Sequence, residues 1–282
     1  MQLTRVALIP PLLALTILAL TSCLLSCSDG DGQPASVFDG STDLKLSYQS
    51  LGGGNPAEDQ AFLGINGYQY LFIDGQRTFW SFGDDGSSTS VWNDVKTGSL
   101  SESDLDEMLS DIGYYHWSDA SWSGHAADAG VVRIRSPFGQ ISLSACMNGP
   151  EEPCAIGPKV HRWIGVLGQR GEPVTGPVDV VAREEVDPPN SVFLEHVLDW
   201  PAGVDITPYL TTKYVQLQGE GARASGDVAT QLRALRRSFV TGNAAMGAIP
   251  VHAGDRYYSV WVRDVIKLAD GTGAVDVGAL MR

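Results

Sequence analysis

The residue types able to do chemistry in this 282-residue chain are five histidines, four cysteines and several groups of closely spaced carboxylates. His116, His125, His161, His196 and His252 are scattered, and none falls into His-Glu-x-x-His or another paired ligand spacing, so zinc catalysis has no support. His125 draws notice because Ser123 and Asp128 lie beside it in Trp122-Ser123-Gly124-His125-Ala126-Ala127-Asp128. Hydroxyl, imidazole and carboxylate are the parts of a nucleophilic triad, yet triads are assembled from distant segments and are recognised by geometry. The same stretch also reads as a polar loop leading into a strand at Val131. The sequence has neither a Gly-x-Ser-x-Gly elbow nor a Gly-x-x-x-x-Gly-Lys phosphate loop. Carboxylates raise calcium as a ligand, with Asp84, Asp85 and Asp94 around one Gly-Ser loop and Asp270 and Asp276 flanking another. Neither group has the spaced Asp-x-Asp-x-Asp-Gly order, and Asp beside Gly is ordinary turn chemistry, so no metal or cofactor is expected.

The cysteines are more informative. Arg5, an apolar stretch from Val6 to Leu20 and then Cys23 and Cys27 form a secretory leader. Pro10 and Pro11 interrupt the stretch, which is short of the roughly 20 apolar residues of a spanning helix. Leu20-Thr21-Ser22-Cys23 resembles a bacterial lipobox, and Leu24-Leu25-Ser26-Cys27 is a second copy. The resemblance implies that the Cys is lipidated and becomes the mature N-terminus. Cys23 fits the pattern better, whereas cleavage before Cys27 leaves Cys146 and Cys154 as an even pair. Either cleavage removes Arg5 and takes the formal charge from −14 to −15. Export favours disulfides, and the turn-rich segment between Cys146 and Cys154 suits a local bridge better than a Cys-x-x-Cys redox pair. Ser123-Gly124-His125 resembles the Ser-x-His opening of a zinc-dependent peptidoglycan carboxypeptidase signature, whose later residues are out of register here.

The aromatics form a third group. Tyr68, Tyr70 and Phe72 alternate onto one face of a strand, and Trp80 and Phe82 onto one face of the next. Left open, that face would be a stacking platform for a sugar or peptide; covered by a helix or a second domain, it is core. Tyr68, Tyr70, Phe72, Trp80, Phe82, His125 and Asp128 are therefore the candidate ligand-binding residues, and none is assigned a catalytic role.

These residues must be positioned by a body whose outline the pattern gives. Lys and Arg number 19 against 33 Asp and Glu, which argues against nucleic acid as a partner. Tyr68–Ile73 and Arg77–Phe82 read as a hairpin around Asp74-Gly75, where glycine would supply positive φ, and Val91–Val95 as a further strand. Leu105, Met108, Leu109 and Ile112 make one helical stripe, with Ser101 and Asp104 as a capping pair and Gly113 at the C-terminal turn. A second hairpin joins Val131–Arg135 to Gln140–Cys146. A second helix starts at Pro158 and ends before Gly168 with Val160, Trp163, Ile164 and Leu167 as its stripe, and Val174–Ala182 follows as a strand. Further strands are expected at Lys213–Gln218 and Tyr257–Val262. The helix at Asp227–Phe239 buries Val228, Leu232, Leu235 and Phe239 and turns Arg233, Arg236 and Arg237 onto another arc. Those arginines either face solvent or meet the acidic first part of the body.

Asp187-Pro188-Pro189-Asn190 marks a boundary, because residues 27–186 carry 23 acidic and 9 basic side chains and residues 187–282 carry 10 and 9. The expected organisation is a leader at 1–26, a flexible tether at 27–42, an acidic α+β domain at 43–186 and a smaller α+β domain at 187–282. The fold class is α+β, mainly antiparallel sheet with single helices packed on it, in two subdomains. The middle of the chain resembles uncharacterised bacterial envelope lipoproteins of hairpin, helix, hairpin type. The functional expectation is an envelope lipoprotein, held to a membrane by its lipid, with a non-enzymatic role in binding an envelope protein or carbohydrate. An envelope-polymer hydrolase or carbohydrate-binding module is the alternative.

Overall fold

A computed structural model describes residues 37–51, 69–83, 94–123, 131–144, 151–185, 194–211, 222–239 and 248–266. Two sheets, mainly antiparallel, dominate residues 38–282, which form one compact unit. The larger has eight strands: β1 (Leu44–Leu51), β2 (Gln69–Asp74), β3 (Thr78–Phe82), β4 (Lys96–Ser99), β5 (Ala120–Ser123), β6 (Val131–Ser136), β7 (Gly139–Ser144) and β8 (Glu172–Pro173). Their spatial order is β5-β7-β6-β1-β2-β3-β4-β8, with β5 parallel to β7. The smaller has five: β9 (Val178–Glu184), β10 (Leu198–Asp199), β11 (Ala222–Ala224), β12 (Ile249–Ala253) and β13 (Arg256–Asp264), in the order β10-β12-β13-β9-β11. Both expected hairpins form, as β2–β3 and β6–β7. The α+β class is thus the observed one.

Alternation sorts the large sheet into two faces. Leu46, Tyr48, Leu71, Ile73, Phe79, Ile134, Ile141 and Leu143 are buried on one of them. Helix α1 (Glu102–Ile112) buries Leu105, Met108, Leu109 and Ile112, the stripe its spacing predicts. Ser101 Oγ accepts a hydrogen bond from the Asp104 N–H at 3.1 Å and Gly113 closes the helix at φ 69°, so both expected caps are present. Helix α2 (Glu151–Arg170) packs against α1 and lies along β2, β3, β4 and β7, with Val160, Trp163, Ile164 and Leu167 buried. It begins seven residues before the expected start, so Pro158 sits inside it and Gly168 in its last turns. Proline is favoured at a first turn; further in it removes a hydrogen bond and its ring crowds the carbonyl four residues back, yet the helix continues through Pro158.

Other differences are local. Of the strand expected at Val91–Val95, residues 94 and 95 are not in a strand, and β4 begins only at Lys96; residues 91–93 lie outside the described residues, as does Lys213–Gln218. Trp122 and Ser123 belong to β5 rather than to a loop. The β2–β3 turn takes its positive φ, 68°, at Arg77 and not at Gly75. The Arg77 N–H reaches the Asp74 carbonyl at 3.0 Å, the geometry of a three-residue hairpin loop ending in a left-handed residue. Gly75 is needed for space instead: a Cβ there would lie 2.7 Å from Asp39 Oδ1 and Ser41 Oγ and 2.8 Å from the Ser41 carbonyl oxygen. The change of sheet falls between β8 and β9, at residues 174–177, so Val178–Glu184 belongs with the later strands although the sequence places it before the 187 boundary.

Candidate functional site

Helix α3 (Gly226–Ser238) packs on β13, with Leu232 and Leu235 buried and Phe239 following them into the core of the small sheet. Its three arginines do not face solvent as a group: Arg233 and Arg236 are 4% and 1% exposed. Arg233 Nε donates to Asp264 Oδ1 at 2.6 Å, and its Nη2 donates to the Gly176 carbonyl at 2.5 Å. Arg236 Nη2 donates to Asp264 Oδ2 at 2.7 Å and to Asp94 Oδ1 at 2.8 Å, while Arg237 Nε donates to Asp94 Oδ2 at 2.6 Å. Asp94 precedes β4 of the large sheet, so two of the three arginines meet the acidic first part. A buried charge is costly unless paired and hydrogen-bonded, and here each one is both.

The electrostatics of this clasp oppose proton transfer near neutral pH. Burial pushes the Asp94 carboxyl up, but the hydrogen bonds and charges of Arg236 and Arg237 outweigh it and hold it below its ordinary 3.8. Burial likewise weakens the Arg236 charge, yet Asp264 and Asp94 together raise that group above its usual range. Groups locked in their charged forms are poor general acids or bases, which work best poised near the operating pH. The clasp therefore joins the sheets. Asp94, set between two guanidinium groups, is unsuited to the calcium loop considered from the sequence.

The aromatic face meets the same fate. Tyr70, Phe72, Trp80 and Phe82 are buried together with Val95 and Ile266, so the rings are core and present no stacking platform. Tyr70 stacks on Phe72 and Phe82 at centroid distances of 5.0 and 5.4 Å. Its hydroxyl is pushed well above the ordinary value by burial and by the charge of Asp264, against the opposing pull of Arg236. Tyr68, His125, Asp128, Cys23, Cys27 and Cys146 lie outside the described residues. Cys154, on α2, is disulfide-bonded. His161 shares a hydrogen bond of 2.5 Å with Gln69, and His252 sits 3.9 Å from Asp199. Among the described residues no three His, Cys, Asp or Glu side chains gather as a metal site.

Beyond β2, the face that carries the aromatics turns polar. Gln49 stands opposite Tyr70 on one side and Arg133 on the other, and Arg133 stands opposite Ser142. One step along the strands, Ser47 lies between Phe72 and Arg135, and Arg135 is opposite Gln140. Ser47 and Gln49 are 7% and 4% exposed, whereas Arg133, Arg135 and Ser142 are half-buried and Gln140 is exposed. The Gln49 Nε2 amide is buried with no hydrogen-bond partner among the described residues. These residues were not among those singled out from the sequence. The signal for them is the alternation in Arg133-Ile134-Arg135 and in Leu46-Ser47-Tyr48-Gln49, which puts the polar members opposite the buried Ile134, Leu46 and Tyr48.

No protein-family model matches the chain, and no curated protein matches it at a significant level.

Proposed function

We propose that the protein is a membrane-anchored cell-envelope lipoprotein whose α+β body has a non-enzymatic binding or assembly role. The observation that carries this reading is the order Arg5, apolar stretch, Leu20-Thr21-Ser22-Cys23, polar tether. In support, residues 38–282 form a compact unit of their own after that segment. Among the described residues no helix is long and apolar enough to cross a membrane. The charged side chains at the junction of the two sheets act in holding the body together, which suits a carrier or assembly module. Cys23→Ser, Cys27→Ser and the double variant, followed by fractionation of cells, test the anchor. The double variant is expected in the soluble fraction; its retention in the membrane fraction at the wild-type level contradicts the proposal.

The bridge to Cys154 is proposed to run from Cys146, the nearest cysteine in sequence. A loop this short would add about 2–3 kcal/mol of stability on a chain-entropy basis. Non-reducing peptide mapping of exported protein should find the linked peptides, and recovery of Cys154 joined to another cysteine would contradict the pairing.

A further inference from the structure

We infer that an aromatic corner formed by Phe38, Tyr115 and Phe138 rests in the headgroup layer of the membrane that holds the lipid, so that the body lies against the bilayer by that corner. This rests on the anchor reading above and adds a docking surface to it. The corner is built on Tyr114, which is fully buried in a single turn of helix, Tyr114–His116, one residue after α1. Its ring meets Tyr115, Phe138 and Trp117 edge-on at centroid distances of 5.3, 5.4 and 5.2 Å, and Phe38 at 6.1 Å. Tyr115 and Phe138 meet each other at 5.8 Å. Phe38 and Tyr115 are half-buried, and Phe138 is 37% exposed, the one aromatic ring among the exposed large hydrophobic side chains of the described residues.

A single exposed ring is ordinary on a protein surface. Two observations set this one apart. The first is its mounting. In the β6–β7 turn the Phe138 N–H donates to Ser136 Oγ at 3.2 Å, and the Gln140 N–H donates to Asp119 Oδ1 at 2.8 Å. A Cβ at Gly139 would lie 2.7 Å from the Ser118 carbonyl carbon, so the turn is pressed against the backbone that follows Trp117. A ring held out by a locked turn loses little freedom on docking. The second observation is where the chain enters the body. Cys27 and Cys23 lie 11 and 15 residues before Phe38, across a segment containing Gly, Ser and Asp. A flexible tether of that length has an r.m.s. span of about 17–23 Å. The lipid therefore keeps Phe38, and the rings packed with it, nearer the bilayer than a 245-residue body is wide, roughly 45 Å. Tethering at that range turns a weak surface contact into an intramolecular one. Aromatic rings, with the polar tip of Tyr115 among them, suit the headgroup layer. Asp39 and Asp119 beside the rings are exposed, so the corner fits a lipid without net negative charge.

The test uses the full chain extracted from membranes and reconstituted in phosphatidylcholine vesicles, with photo-reactive benzoylphenylalanine replacing Phe138 or, as the control, Leu210. Leu210 is 41% exposed and bridges to Ala182 of the small sheet, so the two positions are equally open and the yield of lipid adduct reads nearness to the bilayer rather than access. After irradiation, peptide masses are expected to show several-fold more lipid adduct at 138 than at 210. Circular dichroism checks that each variant folds, and benzoylphenylalanine at Tyr115, beside Phe138 in the corner, gives a second position expected to mark lipid. Equal yields at 138 and 210, no lipid adduct at 138 or 115 in chains that float with the vesicles, or adducts that join 138 to another segment of the chain each overturn the inference and leave the anchor reading standing. A chain that does not float with the vesicles overturns the anchor reading, and this inference falls with it.

Discussion

Arg236 is the side chain on which most depends at the scale of single residues. It is 1% exposed and bridges Asp264 of the small sheet to Asp94 of the large one. Truncation leaves both carboxylates short of a partner, although Arg233 still holds Asp264 and Arg237 still holds Asp94. Arg236→Ala is therefore expected to cost about 3 kcal/mol, the lower end for breaking a buried pair, measured by urea denaturation. A loss below about 0.5 kcal/mol would contradict the assignment of the clasp. The pH dependence has a definite sign. Asp94 is held below 3.8 when folded, so its contribution to stability is fully present above 3.8 and is lost as pH falls through the lower folded value. Asp74 acts in the opposite sense: burial raises it, despite the Thr78 N–H at 2.8 Å, so its ionised form weakens the fold at higher pH and protonation relieves that cost. Asp94→Asn should thus flatten the acid limb of the stability profile, and Asp74→Asn should leave that limb in place.

Between elements, one tight junction is the β2–β3 turn against the segment that leads into β1. The Gly75 N–H donates to the Asp43 carbonyl at 3.0 Å, and the Gly40 N–H donates to the Gly75 carbonyl at 2.9 Å. A methyl group at 75 would displace the Ser41 backbone as well as two side chains, so Gly75→Ala is expected to destabilise by about 1–3 kcal/mol. A chemical melt within about 0.3 kcal/mol of wild type would show that the junction yields. This contact was not legible in the sequence, where Asp74-Gly75 reads as a dipeptide chosen for positive φ; only the fold shows what stands against the glycine. Helices α1 and α3 were legible, because four-residue stripes and a Ser cap are local signals. Helix α2 was legible in its stripe but not in its start, since the turn before Pro158 follows from packing rather than propensity. Strand β1, central to the large sheet, alternates Leu46, Tyr48 against Ser47, Gln49, and that period was there to be read. The partners of Arg236 were not, because Asp94 and Asp264 are 142 and 28 residues away and no periodicity links them.

At the scale of the whole molecule, two sheets share one compact unit that holds an aromatic layer, an ionic clasp and a polar stretch of sheet. The aromatic side chains of β2 and β3 face Val95 and Ile266, the arginines of α3 meet carboxylates from both sheets, and the arginines of β6 stand opposite polar side chains. In the proposed lipoprotein, attachment comes from the leader cysteine and the binding or assembly role from the body. The intact mass of the protein extracted from membranes tests that account most directly. The account predicts a chain beginning at Cys23 or Cys27 and heavier than its sequence by fatty acyl groups. A chain of unmodified mass, or one still beginning at Met1, would contradict it.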